Sequence, residues 1–347
     1  MKSKAIAICT LITILLSLLT SCQKTAFDRY STEYFDTYSS LVGYENNKSD
    51  FDAVADRVFK MISEYHKLFD IYNEYEGINN LCTVNKLYDG VHKEIKVDKK
   101  IIDMLLFSKE MYTLTNGRTN IAMGSVLSIW HEYRTEGIEN PGKASLPKTD
   151  ELTEAAKHTD INDLIIDEEN CTIYLADPMM KLDVGAIAKG YAVEMIAREL
   201  EASGITGYAL NVGGNVRAIG PKGDGSPWNT GVENPVNDDY ENPYVAYLKI
   251  TTEAVVTSGS YQRFYTVDGQ NYHHIIDKNT LMPAKGLLSV TIICNSSDMA
   301  DALSTAVFCM PLEEGKNFIN SIDGVEALWV CEDKSVHYSA NFDKYKK

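Results

Sequence analysis

KLDVGAIAKGYAVEMIAREL, residues Lys181–Leu200, reads as the end of an extended segment, a tight glycine-containing entry and then a helix. Ile187, Tyr191, Met195 and Ile196 recur at helical spacing, Leu200 follows one turn on, and Gly204 is placed to stop the helix. Asp183 sits before the helix, where its carboxylate can cap free N–H groups or receive a ligand donor. Gly185 and Gly190 are expected to clear side chains from a ligand-facing surface. Lys189 adds a cation in the first turn, where exposed N–H groups favour an anion such as phosphate. The same letters also serve an ordinary strand–turn–helix, and this stretch alone leaves both readings open.

The 347-residue chain carries a net charge of −16, which argues against a nucleic-acid partner because no basic groove can be drawn from it. An acidic protein that binds a phosphorylated ligand favours a bridging cation. Lys2 and Lys4 precede an apolar run, Ala5–Leu19, that is shorter than the roughly 20 residues a membrane-spanning helix needs. The run ends Leu19-Thr20-Ser21-Cys22, which resembles a bacterial lipobox. Residues 1–21 are therefore expected to be a lipoprotein signal peptide, with Cys22 lipidated and the protein exported and anchored to a bacterial membrane. Cys82, Cys171, Cys294, Cys309 and Cys331 remain. They contain no C-x-x-C pair, which argues against zinc or iron–sulfur binding. Cys294 and Cys309 lie in apolar runs and read as core thiols.

Residues 22–50 read as a polar tether with a first strand at Phe35–Tyr44, and residues 51–347 as one mixed α+β domain. Helices are expected at Phe51–Tyr72, Lys99–Thr115 and Ser296–Met310. Asn79–Asn85, Thr135–Lys148 and Pro221–Asp239 read as loops. Strands are expected at Gly207–Val212, Tyr244–Ile250, Ala254–Thr257, Tyr272–Ile276, Leu288–Cys294 and Glu326–Cys331. Ala122-Met123-Gly124 forms a small turn that either admits a flat ring or merely reverses the chain. Gly213-Gly214-Asn215 ends a strand with bare amides suited to phosphate or ribose, or is a hairpin turn.

Two constellations carry candidate chemistry. Asp301 and Thr305 lie i and i+4 on one helix face and supply two hard oxygen ligands of the kind magnesium prefers. A solvated polar face has the same spacing. His273 and His274 alternate on a strand ahead of Asp277, so one imidazole can reach a site as general base while the other packs. The glycine turns match neither a P-loop nor G-x-G-x-x-G, and no G-x-S-x-G elbow occurs.

The segments DVGAIAKGYAVE, NVGGNVRAIG, VVTSGSYQRFY with YHHIID, and SVTIICNSSDMADALSTAVF occur in an order that resembles the FAD:protein FMN transferases, the ApbE-like lipoproteins. Phe69–Tyr72 and TNGRTNIAMG are similar to that family's N-terminal flavin-side motifs. The resemblance implies a single T-fold-like α+β domain of mixed sheets packed with helices, with FAD held across it and Mg2+ on the pyrophosphate. It implies Asp301, Thr305 and the backbone carbonyl of Ala186 as metal ligands, and Asp183 and Lys189 near the FAD. Tyr72, Ala122, Met123 and Gly124 fall on the isoalloxazine side, and Thr257, Ser258 and Gly259 line the nucleotide cleft. His274 is implied to assist transfer, with Asp277 orienting it or acting in its place.

The implied reaction moves FMN from FAD onto a Thr or Ser hydroxyl of an acceptor flavoprotein subunit and releases AMP. Alternatives are an FAD pyrophosphatase giving FMN and AMP, and a lipoprotein that binds FAD without chemistry. The chain departs from the family's H-x-x-D-P-x-T-G-x-P at Lys278 and Leu281, carries Phe35-Asp36-Thr37 where Met-Gly-Thr is frequent, and has Asn120 for a frequent aspartate.

Overall fold

A computed structural model describes residues 24–86, 94–236 and 242–347. The signal-peptide and Cys22 expectations lie outside the described residues. In chain order the elements are β1 (Thr25–Tyr34), β2 (Thr37–Glu45), α1 (Lys48–Phe69), α2 (Leu81–Lys86), β3 (Ile95–Lys96), α3 (Lys99–Leu114), α4 (Gly124–Glu139), α5 (Thr149–Ala155), β4 (Leu164–Asp167) and β5 (Thr172–Leu175). There follow α6 (Ala188–Ala202), β6 (Tyr208–Val212), β7 (Asn215–Ile219), β8 (Trp228–Glu233), β9 (Tyr244–Ile250), β10 (Ala254–Gly259), β11 (Phe264–Val267) and β12 (Gln270–His273). The chain closes with β13 (Leu287–Cys294), α7 (Ser297–Phe308), α8 (Leu312–Asn320), β14 (Glu326–Cys331) and β15 (Val336–Tyr338).

The frame is an antiparallel sheet of eight strands in the order β1-β2-β6-β7-β10-β13-β14-β15. Strand alternation sends Val256 and Ile292 into a core with α7, while Val255 and Ile293 enter a second core with Trp228, Leu248 and Phe342. Both faces of the central strands are therefore covered, which is why β13 reads as a nearly continuous apolar run although the sheet is antiparallel. Leu41, Tyr208, Leu210 and Val212 pack on the helical face with α1 and α6. This is the mixed α+β domain expected from the sequence.

Helix α6 forms where the periodicity places it, with Ile187, Tyr191, Ile196 and Leu200 buried. Gly204 (φ 72°) ends it as expected, and the Ile205 N–H donates to Leu200 O at 2.9 Å. Asn47 starts α1 by accepting the Asp50 N–H at 3.0 Å. The helix stops at Phe69 rather than Tyr72 because Asp70 turns extended and its carboxylate takes the N–H groups of Tyr72 and Asn73.

Four expectations are corrected. Residues 25–34, read as tether, form β1 and pair along β2, the turn between them carrying Phe35 and Asp36 at φ 53° and 48°. Asn79–Asn85 is not all loop: Asn80 accepts the Thr83 N–H at 3.0 Å and caps α2. Helix α4 runs on to Glu139 through Gly137, where a Cβ would meet the Tyr265 ring at 2.5 Å. Trp228–Glu233 is a strand, not loop; it pairs with β9 and its indole N–H donates to Gly220 O. The five described cysteines are free, and burial pushes the Cys294 and Cys309 thiols up to about 12.

Candidate active site

Helices α6 and α7 cross at Gly190. A Cβ there would sit 2.4 Å from both Asp301 Cβ and Ser297 O. Gly190 is thus explained by helix contact, not by clearance for a ligand, which corrects the sequence expectation. Its freed N–H donates to Asp301 Oδ2 at 2.8 Å. Lys189 Nζ lies 3.8 Å from the same oxygen and donates to Gly185 O at 3.3 Å. Asp301 is 4 % exposed, and burial raises its pKa against the opposing pull of Lys189 and the Gly190 N–H.

Asp301 forms part of the wall of a cavity of about 430 Å³. Thr305, Ala186, Asp183, Lys189, Thr257, Ser258, Gly259, Tyr72, Met123 and His274 line it too. Eleven of the fourteen expected site residues thereby meet in one cleft. Ala122 is fully buried beneath it, and Gly124 is packed so closely that a Cβ would lie 2.4 Å from Lys181 O. Asp277 also falls outside the lining. Its Oδ1 accepts the Asn279 N–H at 2.7 Å and its backbone pairs with Met282 and Leu281, so it shapes a turn. His274 instead takes its orientation from Arg263 O, 3.2 Å from Nδ1.

Asp183 does not cap the helix; its Oδ1 accepts the Gly185 N–H at 2.9 Å and fixes the turn before it. Burial raises the Asp183 pKa, opposed by that N–H and by His131, Arg134 and Lys189. The Gly213 and Gly214 amides are not bare. They donate to Tyr38 O and Asn211 Oδ1, so this turn is the hairpin between β6 and β7.

The donors near Asp301 fit a hard cation. A buried carboxylate, the Thr305 hydroxyl and the Ala186 carbonyl residue share the cavity, and Ser258 Oγ lies 3.4 Å from Thr305 Oγ1 and 2.7 Å from Ser304 Oγ. Among the described residues no group of three His, Cys, Asp or Glu side chains gathers for a metal. The set is mixed carboxylate, hydroxyl and carbonyl oxygen, to which a phosphorylated ligand and water would add.

On the same cavity wall, burial first, then Arg263 and Arg134, push the His274 imidazole down to about 3. With Nδ1–H donating to Arg263 O, Nε2 is left as a lone pair. His273 does not share this role: its Nε2 lies 2.8 Å from Ala284 O and its ring meets Phe308 edge-on at 5.5 Å. The low His274 value has a consequence for stability. Between about 3 and the ordinary 6.5, the unfolded chain holds a proton that the folded chain refuses, so stability falls as pH drops through that window. His274→Gln removes this titration. Its melting temperature is expected to fall less than the native chain's between pH 7 and pH 5; an equal or larger fall would contradict the half-buried neutral imidazole.

The sequence reading missed His131, Arg134, Arg263 and Arg118, all of which line the cavity. The Tyr72 and His131 rings meet tilted by 30° with centroids 4.9 Å apart, and Arg134 Nη2 donates to His131 Nδ1 at 2.9 Å. The available signal was the i, i+3 spacing of His131 and Arg134 on one face of α4.

The sequence pattern of the ApbE family matches residues 35–329. The FAD:protein FMN transferase of Treponema pallidum (strain Nichols) is 32 % identical over 260 residues, covering 71 % of this chain and 69 % of its own. That of Klebsiella pneumoniae (strain 342) is 28 % identical over 290 residues, covering 83 % and 85 %. The crystal structure of the ApbE protein of Thermotoga maritima superposes with a TM-score of 0.79 at 28 % identity, over 93 % of this chain and 100 % of that one.

Proposed function

The chain belongs to the ApbE family, and from that premise we propose that it transfers the FMN half of FAD to a threonine or serine hydroxyl of an acceptor protein. The observation that carries the reading is one cleft holding both a buried oxygen-donor set at Asp301 and a histidine, His274, whose Nδ1 contact to the Arg263 carbonyl leaves Nε2 as acceptor.

Phosphoanhydride cleavage needs charge neutralisation and in-line positioning more than covalent help from the enzyme. Asp301, Thr305 and the Ala186 carbonyl would hold Mg2+, which supplies charge neutralisation to the pyrophosphate and to departing AMP. Lys189, beside Asp301, adds a second positive charge at that end. His274 Nε2 accepts the acceptor hydroxyl proton as the oxygen bonds to the FMN phosphorus. The bond from that phosphorus to the bridging oxygen breaks, and AMP leaves with the electron pair. Arg263 O holds the imidazole in the tautomer this step requires. Tyr72 and His131 offer aromatic surface for the isoalloxazine ring.

The test mixes the full chain, FAD, magnesium and a candidate acceptor domain, and looks for covalent flavin fluorescence in a denaturing gel. A labelled acceptor supports transfer. Intact FAD with no label refutes it, and AMP release at the same rate without acceptor turns the assignment to a pyrophosphatase. His274→Ala is expected to slow transfer about 10²–10⁴-fold while FAD affinity stays within a few-fold. Equal losses in both would make His274 a binding residue.

We also propose export and anchoring through lipid on Cys22, supported by the Leu19-Thr20-Ser21-Cys22 sequence. Fatty-acid labelling that is lost in Cys22→Ala tests it.

A further inference from the structure

Arg134 and Arg263 bring positive charge into the cleft without an ion pair to neutralise it. Both line the cavity beside His274. Among the described residues neither guanidinium forms an ion pair: the contacts of Arg134 and Arg263 are His131 Nδ1 at 2.9 Å and Asp36 O at 3.4 Å, respectively. Arg134 is half-buried, and its pKa is lowered by burial, with Arg263 adding to the effect. Asp36 and Asp183 also line the cavity, but Asp183 Oδ1 is committed to the Gly185 N–H, and among the described residues neither carboxylate forms an ion pair with these guanidinium groups.

The placement is built, not incidental. Trp130 Nε1–H donates to Leu281 O at 2.9 Å, and Gly137 lets α4 close on the Tyr265 ring of β11. These contacts fix the helix carrying His131 and Arg134 against the hairpin that Arg263 precedes and His274 follows, and against the turn beyond it. His131 must present a lone pair at Nδ1 to receive the Arg134 N–H, and its lowered pKa, from burial and then from Arg134, agrees. Holding two like charges together in a partly desolvated cleft is unfavourable until an anion joins them. In a chain of net charge −16 the pair also adds positive charge locally, which favours an anion at this point.

We propose that Arg134 and Arg263 form an oxyanion site beside His274, filled by the phosphate of the flavin nucleotide or by a carboxylate of the acceptor protein. The occupant's identity rests on the flavin-transfer reading; the existence of the site does not. A planar guanidinium grips either group through paired N–H donors, which a lysine cannot reproduce.

The experiment compares the full chain with the Arg134→Gln/Arg263→Gln double variant. Inorganic phosphate, titrated against a sodium chloride control of equal ionic strength, is expected to raise the melting temperature of the native chain. The double variant should need at least tenfold more phosphate for the same rise. If the occupant is the nucleotide phosphate, the double variant loses at least tenfold in FMN affinity and little in riboflavin affinity. If it is an acceptor carboxylate, the FMN-to-riboflavin ratio holds while the acceptor KM rises at least tenfold at unchanged FAD KM. Arg134→Lys should recover less than half of the loss in either case. Equal phosphate protection of both proteins, with neither the flavin ratio nor the acceptor KM altered, overturns the proposal. Phosphate protection of the native chain alone, with no flavin bound by it, keeps the oxyanion site and removes the flavin reading.

Discussion

Asp301→Asn is expected to lower FMN transfer about a thousandfold while the protein stays folded. Loss of a metal ligand forfeits several kcal/mol of charge stabilisation on the reacting phosphates, and about 1.4 kcal/mol corresponds to each tenfold in rate. The fold survives because the asparagine oxygen can still accept the Gly190 N–H, 2.8 Å from the native carboxylate. Burial disfavours the charged form of Asp301, so a neutral amide removes a cost that the folded state carries. The melting temperature without metal is therefore expected to hold or rise. Rates at saturating FAD and magnesium, with thermal melts of the same samples, decide the matter. Full magnesium-dependent activity in the variant would place the metal elsewhere.

Gly190→Ala is expected to damage stability and activity together. The added methyl would lie 2.4 Å from Ser297 O, a backbone atom, and 2.4 Å from Asp301 Cβ. Neither contact is relieved by a side-chain rotation, so α6 and α7 must move apart. Overpacking of this kind costs about 1–3 kcal/mol, enough to lower the melting temperature by several degrees. The same movement shifts Asp301 relative to Ala186, so transfer should fall by at least tenfold even at temperatures where the variant is folded. An alanine variant with native melting temperature and native rate would mean that the two helices are not held as tightly as this crossing implies.

The two predictions mark where letters sufficed and where they did not. That Asp301, Thr305 and Ala186 share one cleft was legible because one helix face and one ordered motif bring them together. His274 was legible from its motif, but its partner was not. Asp277 lies closer in the expected pattern, yet a backbone carbonyl at Arg263 does the orienting, and backbone carbonyls carry no sequence signature. Glycine was the least reliable letter. Gly190 serves a helix crossing, Gly124 a contact with Lys181 O, and Gly137 a contact with Tyr265. Read locally, the first suggested ligand clearance and the last helped suggest a loop. Only the tertiary neighbour shows that each stands where a side chain has no room. Strand β1 escaped notice because TAFDRYSTEY is half exposed along its length and lies at the sheet edge, so little apolar patterning is required of it. His131 and Arg134 escaped because helical spacing reveals a shared face but not the cavity opposite.

Strand β1 begins at Thr25 and is hydrogen-bonded into the main sheet from there. With lipid on Cys22 as proposed, only about 10 Å of chain separates the acyl group from a rigid sheet edge. Such a leash is too short for the enzyme to patrol the space around it. The cleft would travel at a nearly fixed height above the bilayer, and hydroxyls presented within that thin layer would be modified in preference to identical ones farther out.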